Sequence, residues 1–269
     1  MVSNLKVIAI IPARYSSTRL PGKPLVLINK KPMIQWVYER VEKVPLIDEV
    51  IVATDDEQIF NTVKNFGGKV MMTSKKHQSG TDRIAEVVKK LKVSNNFDFI
   101  LNVQGDEPLV STKTLTKIIL EYKKDKSIDV VTPVCRIRSY DEYVSPNTAK
   151  VVFDKNNFAL YFSRSPVPFV RAIADYKLQI TNFRNFKKID FKKEKFYRHI
   201  GIYGYRKDFL LKYVKIPQSK LEKLEKLEQL RVLENGYKIK VVEVKDNSVP
   251  VDTWEDLKKV RKIVSEKNN

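Results

Sequence analysis

The stretch EVIVATDDEQIFNTVKNFGGKVMMT, residues 49–73, decides the fold of this 269-residue chain. An apolar run at 49–54 has the pattern of a buried strand, and a second such run follows at 69–73. Between them, residues 56–66 show the periodicity of an amphipathic helix. Strands joined by a helix build parallel sheets, so this stretch predicts an α/β protein.

The same alternation continues on both sides of residues 49–73. Strand-like runs stand at 6–11 and 97–103, and helical patterns occupy 33–44, 80–92 and 111–124. The sequence therefore predicts a mainly parallel central sheet flanked by helices.

Short strands with little helix between them dominate the next part of the chain. They are DVVTPV at 129–134, KVVFD at 150–154, ALYFS at 159–163 and HIGIYGY at 199–205. We interpret them as a smaller β-rich lobe, inserted at about 135–205 in a single domain of residues 1–269.

The C-terminal part returns to long helical patterns. SKLEKLEKLEQLRVLENG, residues 219–236, predicts one strong helix, with Ser219 and Glu222 at capping-box spacing and Gly236 at its end. A strand at 238–244 and a closing helix at 252–264 complete the prediction, with Asp252 or Thr253 as the helix cap.

Composition narrows the class of protein. With 42% hydrophobic and 31% charged residues, the chain has the balance of a soluble globular protein. Its first apolar run is too short for a signal peptide or a membrane span, so we expect no membrane insertion. The single cysteine, Cys135, excludes an internal disulfide and favours a cytoplasmic location. Only two histidines accompany it, which argues against a zinc site.

The net charge of +19 allows several partners: nucleic acid, an anionic membrane surface or a polyphosphate substrate. Most lysines are scattered, as on a solvated surface. The densest basic segment, residues 171–198, is interleaved with aromatic residues that could stack on single-stranded nucleic acid. No nucleic-acid-binding signature accompanies it, so we favour a lid or a subunit contact.

Polar residues follow three of the predicted strands, where ligands gather in open α/β sheets. The loop IPARYSSTRLPGK, residues 11–23, brings Arg14, Arg19 and Lys23 together and suits a polyanion, although it is neither a Walker loop nor a dinucleotide fingerprint. Thr54 to Asp56 form the second group. The third, Gln104 to Glu107, places a carboxylate after a glycine, which suits a divalent cation but also an ordinary solvated turn.

Seven motifs in a fixed order identify a resemblance. They are IPARYSSTRLPGKPL, HQSGTDR, NVQGDEPL, YFSRSPVP, RHIGIYGYR, LEQLRVLENG and VDTWEDL, spread from about residue 6 to residue 260. Together they closely resemble the 3-deoxy-manno-octulosonate cytidylyltransferases, the CMP-Kdo synthetases of Gram-negative bacteria. The resemblance implies a fold like that of the nucleotide-diphospho-sugar transferases and a homodimer to which the β-rich lobe contributes.

The resemblance also implies a reaction. The anomeric hydroxyl of 3-deoxy-D-manno-octulosonate (Kdo) attacks the α-phosphorus of CTP, and CMP-Kdo for lipopolysaccharide biosynthesis and pyrophosphate are formed. Mg²⁺ is the implied cofactor, and CTP and Kdo are the implied partners. Fixed cations would stabilise the charge that builds on the departing pyrophosphate. The polyanion suited to the opening loop is then the triphosphate of CTP.

Site residues carry over motif by motif. The resemblance implies that Arg14, Lys23, Asp106 and Asp252 are catalytic and that Asp106 and Asp252 hold the metal. It assigns these residues to the nucleotide: Ala13, Arg14, Arg19, Lys23, Ser79, Gly80, Arg83 and Gln104. It assigns these residues to the sugar acid: Gln104, Arg164, His199, Tyr203, Glu228 and Gln229. From the residues alone, Arg164 could be a surface arginine, His199 a structural histidine and Glu228 one charge on a helix.

Two features depart from the family pattern. Pro250 and Trp254 flank Val-Asp-Thr where the family usually has glycine before and proline after, which bears on the placement of Asp252. The basic-aromatic segment 171–198 is the other departure.

Two classes of alternative function stay open. One is a cytidylyltransferase for the 8-amino analogue of Kdo or for another keto-sugar acid. Among these, a sialic-acid enzyme fits less well, because HQSGTDR and RHIGIYGYR are motifs of the Kdo type. The last alternative is a protein that binds nucleic acid through its positive charge.

Overall fold

The computed structural model describes residues 5–16, 20–91, 97–171, 189–191, 193–246 and 248–266. The strands, in chain order, are β1 Val7–Ala13, β2 Leu27–Ile28, β3 Lys31–Pro32, β4 Glu49–Thr54, β5 Val70–Met72, β6 Phe99–Asn102, β7 Val130–Arg136, β8 Lys150–Phe153, β9 Ala159–Ser163, β10 Tyr197–His199, β11 Tyr203–Arg206 and β12 Ile239–Val244. The α-helices are α1 Met33–Glu42, α2 Glu57–Asn65, α3 Gly80–Lys90, α4 Thr112–Lys124, α5 Tyr140–Val144, α6 Lys207–Tyr213, α7 Lys220–Glu225, α8 Leu230–Glu234 and α9 Trp254–Glu266.

The chain divides into two compact units. The first comprises Met1–Ser127, Gly201–Lys215 and Asp246–Asn269, and the second comprises Ile128–Ile200 and Ile216–Lys245. The larger segment of unit 2, Ile128–Ile200, overlaps the lobe that we predicted at about 135–205. This segment starts and ends before the predicted bounds. Unit 2 also includes a second segment, Ile216–Lys245, that we did not predict.

Unit 1 contains a mainly parallel sheet in the order β5-β4-β1-β6-β11. The pairs β5–β4, β4–β1 and β1–β6 are parallel, and β11 runs antiparallel to β6. Residues 7–11 of β1 are all buried, as expected for a central strand whose two faces are both covered. The predicted α/β class with a mainly parallel sheet is confirmed.

Unit 2 is rich in antiparallel pairs. Strand β7 pairs with β10, β10 pairs with β8 and β8 pairs with β9, all antiparallel, whereas β12 runs parallel to β7. The predicted β-rich lobe is therefore confirmed, but the single strand predicted at 199–205 is wrong: β10 ends at His199, and β11 begins at Tyr203 and pairs with β6 of unit 1. Cys135 lies buried in β7 and forms no disulfide.

Helix α9 packs against the end of the opening loop within unit 1. Its residues Leu257, Val260 and Val264 form a buried cluster with Leu20 and Ile28, among others. This apolar contact holds the start of α9 close to the loop that carries the predicted polyanion site.

The single helix predicted at 219–236 is wrong. The structure has two short helices there, α7 and α8, because Lys226 adopts a left-handed conformation with φ 53° and ψ 45°. The guanidinium of Arg164 donates from Nε to the carbonyl oxygen of Glu225 (2.7 Å), which satisfies a carbonyl at the end of α7. Helix α7 begins after Ser219 as predicted, with the Ser219 N–H donating to the Glu222 carboxylate (3.1 Å), and Gly236, with φ 77°, follows the end of α8.

In the described part of the chain, no helix has the length and apolar character needed to cross a membrane. Most of the basic-aromatic segment, residues 172–188 and 192, lies outside the described residues.

Candidate active site

The opening loop begins where β1 ends, at buried Ala13, and the next residue, Arg14, is exposed. Arg19 lies outside the described residues. Gly22 has φ 63°, a left-handed conformation that glycine adopts without strain, and its N–H donates to the carbonyl of Tyr15 (3.2 Å). This turn folds the loop back on itself and starts a short 3-10 helix at Lys23.

A glycine brings the end of β6 against the end of β1. A Cβ atom on Gly105 would lie 3.0 Å from the carbonyl oxygen of Pro12, which is tighter than nearly all Cβ contacts, so a side chain there would push the two segments apart. Gly80, at the start of α3, also lies against Pro12, whose Cγ would be 3.3 Å from a Cβ atom placed there. The QGD and SGT motifs therefore both lie against the C-terminal end of strand β1.

A backbone hydrogen bond connects the segment before α9 to the loop that follows β6. The N–H of Val251 donates to the carbonyl of Asp106 (2.9 Å), which sets Asp252 beside Asp106. The family departures at Pro250 and Trp254 leave this arrangement in place: Trp254 is the first residue of α9 and is 52% exposed.

Lys23 connects the two carboxylates. Its Nζ lies 2.6 Å from Oδ2 of Asp106 and 3.0 Å from Oδ1 of Asp252. Burial opposes the charge on Lys23, but Asp106 and then Asp252 outweigh burial and raise the lysine pKa. Three catalytic residues predicted from distant motifs are thus in direct contact, with Lys23 as a cation.

Thr253, and not Asp252, caps α9. The Thr253 hydroxyl accepts from the N–H of Asp256 (3.2 Å), and the Asp256 carboxylate accepts from the N–H and the hydroxyl of Thr253. This is a reciprocal capping box, so the side chain of Asp252 is not needed to begin the helix. The alternative that Asp252 serves as the helix cap is wrong.

The chemistry of Asp106 and Asp252 fits a magnesium ion. Mg²⁺ prefers oxygen ligands and is usually held by one or two carboxylates together with phosphate oxygens of the substrate. The two carboxylates already share one cation, the ammonium of Lys23. Among the described residues, no group of three or more metal-binding side chains offers a complete protein cage.

Ser79 and Arg83 of the HQSGTDR motif already have partners in the protein. The hydroxyl of Ser79 caps α3 by accepting from the N–H of Asp82 (3.1 Å). Arg83 is buried, and it donates to Oδ2 of Asp55 (2.7 Å) and to the hydroxyl of Thr73. Arg83 therefore joins the end of β4 to α3, and it neutralises one carboxylate of the TDD group.

Gln104, in the loop after β6, and Tyr203, the first residue of the neighbouring strand β11, both belong to unit 1. Tyr203 pairs with Asn102 across β11 and β6, and Gln104 donates from Nε2 to Oδ1 of the same asparagine (3.1 Å). The structure thus brings these two predicted sugar-acid residues to one end of β6.

The other predicted sugar-acid residues belong to unit 2. Arg164 donates from Nε to the Glu225 carbonyl and from Nη1 to the Pro146 carbonyl (2.8 Å). Its backbone N–H and the Ser163 hydroxyl both donate to the Glu225 carboxylate. Arg164 and Glu225 therefore fasten the end of β9 to the end of α7.

His199 contacts Thr132 of β7, with 2.8 Å between Nε2 and the threonine hydroxyl. Its ring meets Phe162 edge-on at 5.1 Å between centroids. Burial, with a smaller contribution from the charge of Arg198, lowers the pKa of His199 to about 3. The imidazole is therefore neutral near pH 7.

Glu228 and Gln229 occupy the turn between α7 and α8. Gln229 is buried, and Glu228 lies 3.9 Å from the guanidinium of Arg231. Arg231 in turn donates to both carboxylate oxygens of Glu222 at 2.7 and 2.6 Å, in a buried ion pair. Because the predicted helix breaks after Glu225, Glu228 and Gln229 lie in a turn.

Sequence reasoning missed Lys150. Its side chain is fully buried, and Nζ donates to the carbonyls of Ser145 (2.9 Å), Thr148 (2.6 Å) and Arg164. Burial, and then the charge of Arg164, lowers the pKa of Lys150 to about 8, although Glu225 opposes this shift. One lysine among 51 basic residues carries no sequence signal that distinguishes it from a solvated one.

Lys150→Met should lower the free energy of unfolding by about 3 kcal/mol, because three carbonyls lose their buried donor. Urea unfolding measures this loss. Lys155→Met, at an exposed position, is the matched control and should change stability by about 0.5 kcal/mol or less. Equal stability of the two variants would contradict a structural role for Lys150.

Comparisons with known proteins agree with the resemblance. A family profile described as "Cytidylyltransferase" matches residues 8–239. The 3-deoxy-manno-octulosonate cytidylyltransferase of Fusobacterium nucleatum is 46% identical over 264 residues, which cover 98% of this chain and 99% of the relative. The protein of the same name from Thermodesulfovibrio yellowstonii is 48% identical over 262 residues, or 96% of this chain and 98% of the relative.

Solved structures give the same result. The structure of CMP:2-keto-3-deoxy-manno-octonic acid synthetase complexed with CTP is similar with a TM-score of 0.85 and 41% identity, and the match covers 97% of this chain and 99% of that one. A cytidylyltransferase from Leptospira borgpetersenii shares the fold, with a TM-score of 0.60 at 17% identity over 97% of this chain and 87% of that one. The chain therefore belongs to the 3-deoxy-manno-octulosonate cytidylyltransferase family.

Proposed function

We propose that this chain transfers CMP from CTP to the anomeric hydroxyl of Kdo, giving CMP-Kdo and pyrophosphate. The observation that carries the proposal is the contact of Lys23 with both Asp106 and Asp252, at the end of β1 where the opening loop begins. Relatives 45–49% identical over nearly the whole chain carry this enzyme's name.

In the proposed reaction the hydroxyl oxygen of the sugar bonds to the α-phosphorus, and the bond from that phosphorus to the oxygen bridging to the β-phosphate breaks. Pyrophosphate leaves with the electron pair, and the hydroxyl proton passes to solvent. We assign Arg14 and Lys23 to the triphosphate, where fixed cations stabilise the charge that develops on the leaving group. Ala13, Gly80 and Gln104 border this place, and Arg19 and Ser79 keep their nucleotide assignment through the resemblance.

Asp106 and Asp252 would hold Mg²⁺. When bound, this ion supplies charge neutralisation at the phosphates and lowers the pKa of a coordinated hydroxyl. We assign the orientation of the reactants to these two carboxylates, which Lys23 holds together between the end of β6 and the start of α9. The buried Arg83 supports the site through Asp55 rather than by reaching the nucleotide.

We assign the sugar acid to Gln104, Arg164, His199, Tyr203, Glu228 and Gln229, as the resemblance implies. The neutral imidazole of His199 suits a sugar hydroxyl rather than the carboxylate. We also propose a homodimer and a cytoplasmic location, again from the resemblance and from the single cysteine.

Pyrophosphate release from CTP tests the function. We expect release with Kdo and only background release without a sugar acid. The panel should include the 8-amino analogue of Kdo and a sialic acid as competing substrates. Faster turnover of the 8-amino analogue than of Kdo would favour the alternative cytidylyltransferase, and no release with any sugar acid would refute the class.

Nucleic acid should bind weakly. If the +19 charge is spread over a solvated surface, oligonucleotides should bind only at micromolar or weaker affinity near 150 mM salt, with affinity falling steeply as salt rises. Fluorescence anisotropy of labelled DNA and RNA across salt concentrations measures this. Nanomolar, sequence-selective binding would show that the chain has a nucleic-acid partner.

A further inference from the structure

The ammonium of Lys23 stands where a divalent cation would bridge Asp106 and Asp252. Its Nζ lies 2.6 Å from one carboxylate and 3.0 Å from the other, although the two aspartates are far apart in sequence. The lysine side chain is only 17% exposed, so this pairing is not a loose surface contact. One positive charge thus holds together two negative ones.

A hard cation and this ammonium cannot occupy the same place. Divalent ions bind carboxylate oxygens at about 2.0 to 2.6 Å, inside the distances that Nζ already holds. A cation that bridged the two aspartates would have to displace Lys23. A free aqueous ion brings no anion for the displaced ammonium, which would then face a divalent charge without its carboxylate partners.

A metal–nucleotide complex removes this obstacle. Its phosphate oxygens offer Lys23 new anionic partners at the moment when the carboxylates receive the metal. The lysine stem has four rotatable bonds and needs only a local swing from its short helix. The exposed Arg14 lies in the same loop and adds a second cation for the phosphates.

We propose that Lys23 excludes free divalent cations from Asp106 and Asp252 and admits them only as the complex with a nucleoside triphosphate. This inference rests on the proposed role of the two aspartates as metal ligands. It makes metal entry depend on nucleotide, so the carboxylates are not filled before the substrate arrives.

Titration with Mn²⁺ alone tests the proposal. The electron paramagnetic resonance signal of the free ion reports how much Mn²⁺ has bound. Lys23→Met should bind Mn²⁺ at Asp106 and Asp252 about tenfold more tightly than the wild type, or better, because the competing charge is gone. The same variant should bind CTP with Mn²⁺ less tightly, because a phosphate contact is lost. This pair of opposite changes is the signature of displacement.

Lys31→Met is the matched control. Lys31 also pairs with one carboxylate, Glu39, at 2.6 Å, and its loss changes the net charge equally. It should leave Mn²⁺ affinity at the wild-type value. If Lys23→Met destabilises the fold, Lys23→Gln keeps a hydrogen-bond donor on a side chain one atom shorter and without the charge, and it should also tighten Mn²⁺ binding.

The failures of the two proposals differ. Lys23→Met with unchanged Mn²⁺ affinity would overturn the exclusion by Lys23, provided that Asp106→Asn still weakens binding of the CTP–Mn²⁺ complex. If Asp106→Asn and Asp252→Asn both leave binding of that complex unchanged, the metal role itself is wrong. Adding Asp106→Asn to Lys23→Met should cancel the gain, and a gain that persists would place the Mn²⁺ elsewhere.

Discussion

Asp106→Asn is expected to lower turnover by about two to three orders of magnitude, the usual loss for one charge-stabilising contact at a reacting centre. Asparagine keeps the size of the side chain, and the Asp106 carbonyl that accepts from Val251 belongs to the backbone. The fold should therefore survive while the metal loses a charged ligand. Pyrophosphate release as a function of Mg²⁺ concentration measures both the loss in rate and the weaker metal dependence.

Asp125→Asn is the control for this experiment. Asp125 follows α4 and accepts hydrogen bonds from Ser127, which an asparagine could also accept. The turnover of the Asp125→Asn variant should therefore match that of the wild type. Near-wild-type activity and unchanged Mg²⁺ dependence in Asp106→Asn would remove Asp106 from the metal site.

Asp252→Asn should lower turnover with Kdo by about two orders of magnitude and leave CTP affinity almost unchanged. We assign Asp252 to the side of the metal that faces the sugar hydroxyl, so alignment of the nucleophile is lost while the nucleotide contacts persist. Calorimetry gives the CTP affinity, and pyrophosphate release gives the rate.

Thr253→Ala separates this role from helix capping. Because Thr253 and Asp256 cap α9, its loss should lower the free energy of unfolding by about 1 kcal/mol with a much smaller change in turnover. Asp252→Asn should behave in the opposite way, with a large loss in rate and little loss in stability. Full activity in Asp252→Asn would leave that residue with no part in the reaction.

The parallel sheet could be predicted because its signals are local. Apolar runs with helices between them, as in residues 49–73, fix strand and helix by periodicity alone. The break at Lys226 could not be predicted in the same way. The leucine and glutamate pattern on both sides favours one helix, and a left-handed lysine is stabilised by contacts from Arg164, which lies 62 residues away.

The site could be predicted only in part. Lys23, Asp106 and Asp252 lie in motifs that the resemblance joins, whereas their contact depends on packing at Pro12 and on the bond from Val251 to Asp106. Local spacing carries no information about such contacts. The backbone ties of Arg164 and the partners of Arg83 likewise appear only when distant segments are folded together.

Phosphorus-31 nuclear magnetic resonance of the reaction tests the proposed function most directly, because it observes both products at once. With CTP, Kdo and Mg²⁺, we expect the triphosphate signals to be replaced by equal amounts of a CMP phosphodiester and pyrophosphate, and Asp106→Asn should slow this about a hundredfold or more. Triphosphate signals that persist, or pyrophosphate that appears with free CMP instead of the phosphodiester, would contradict transfer of CMP to the sugar acid.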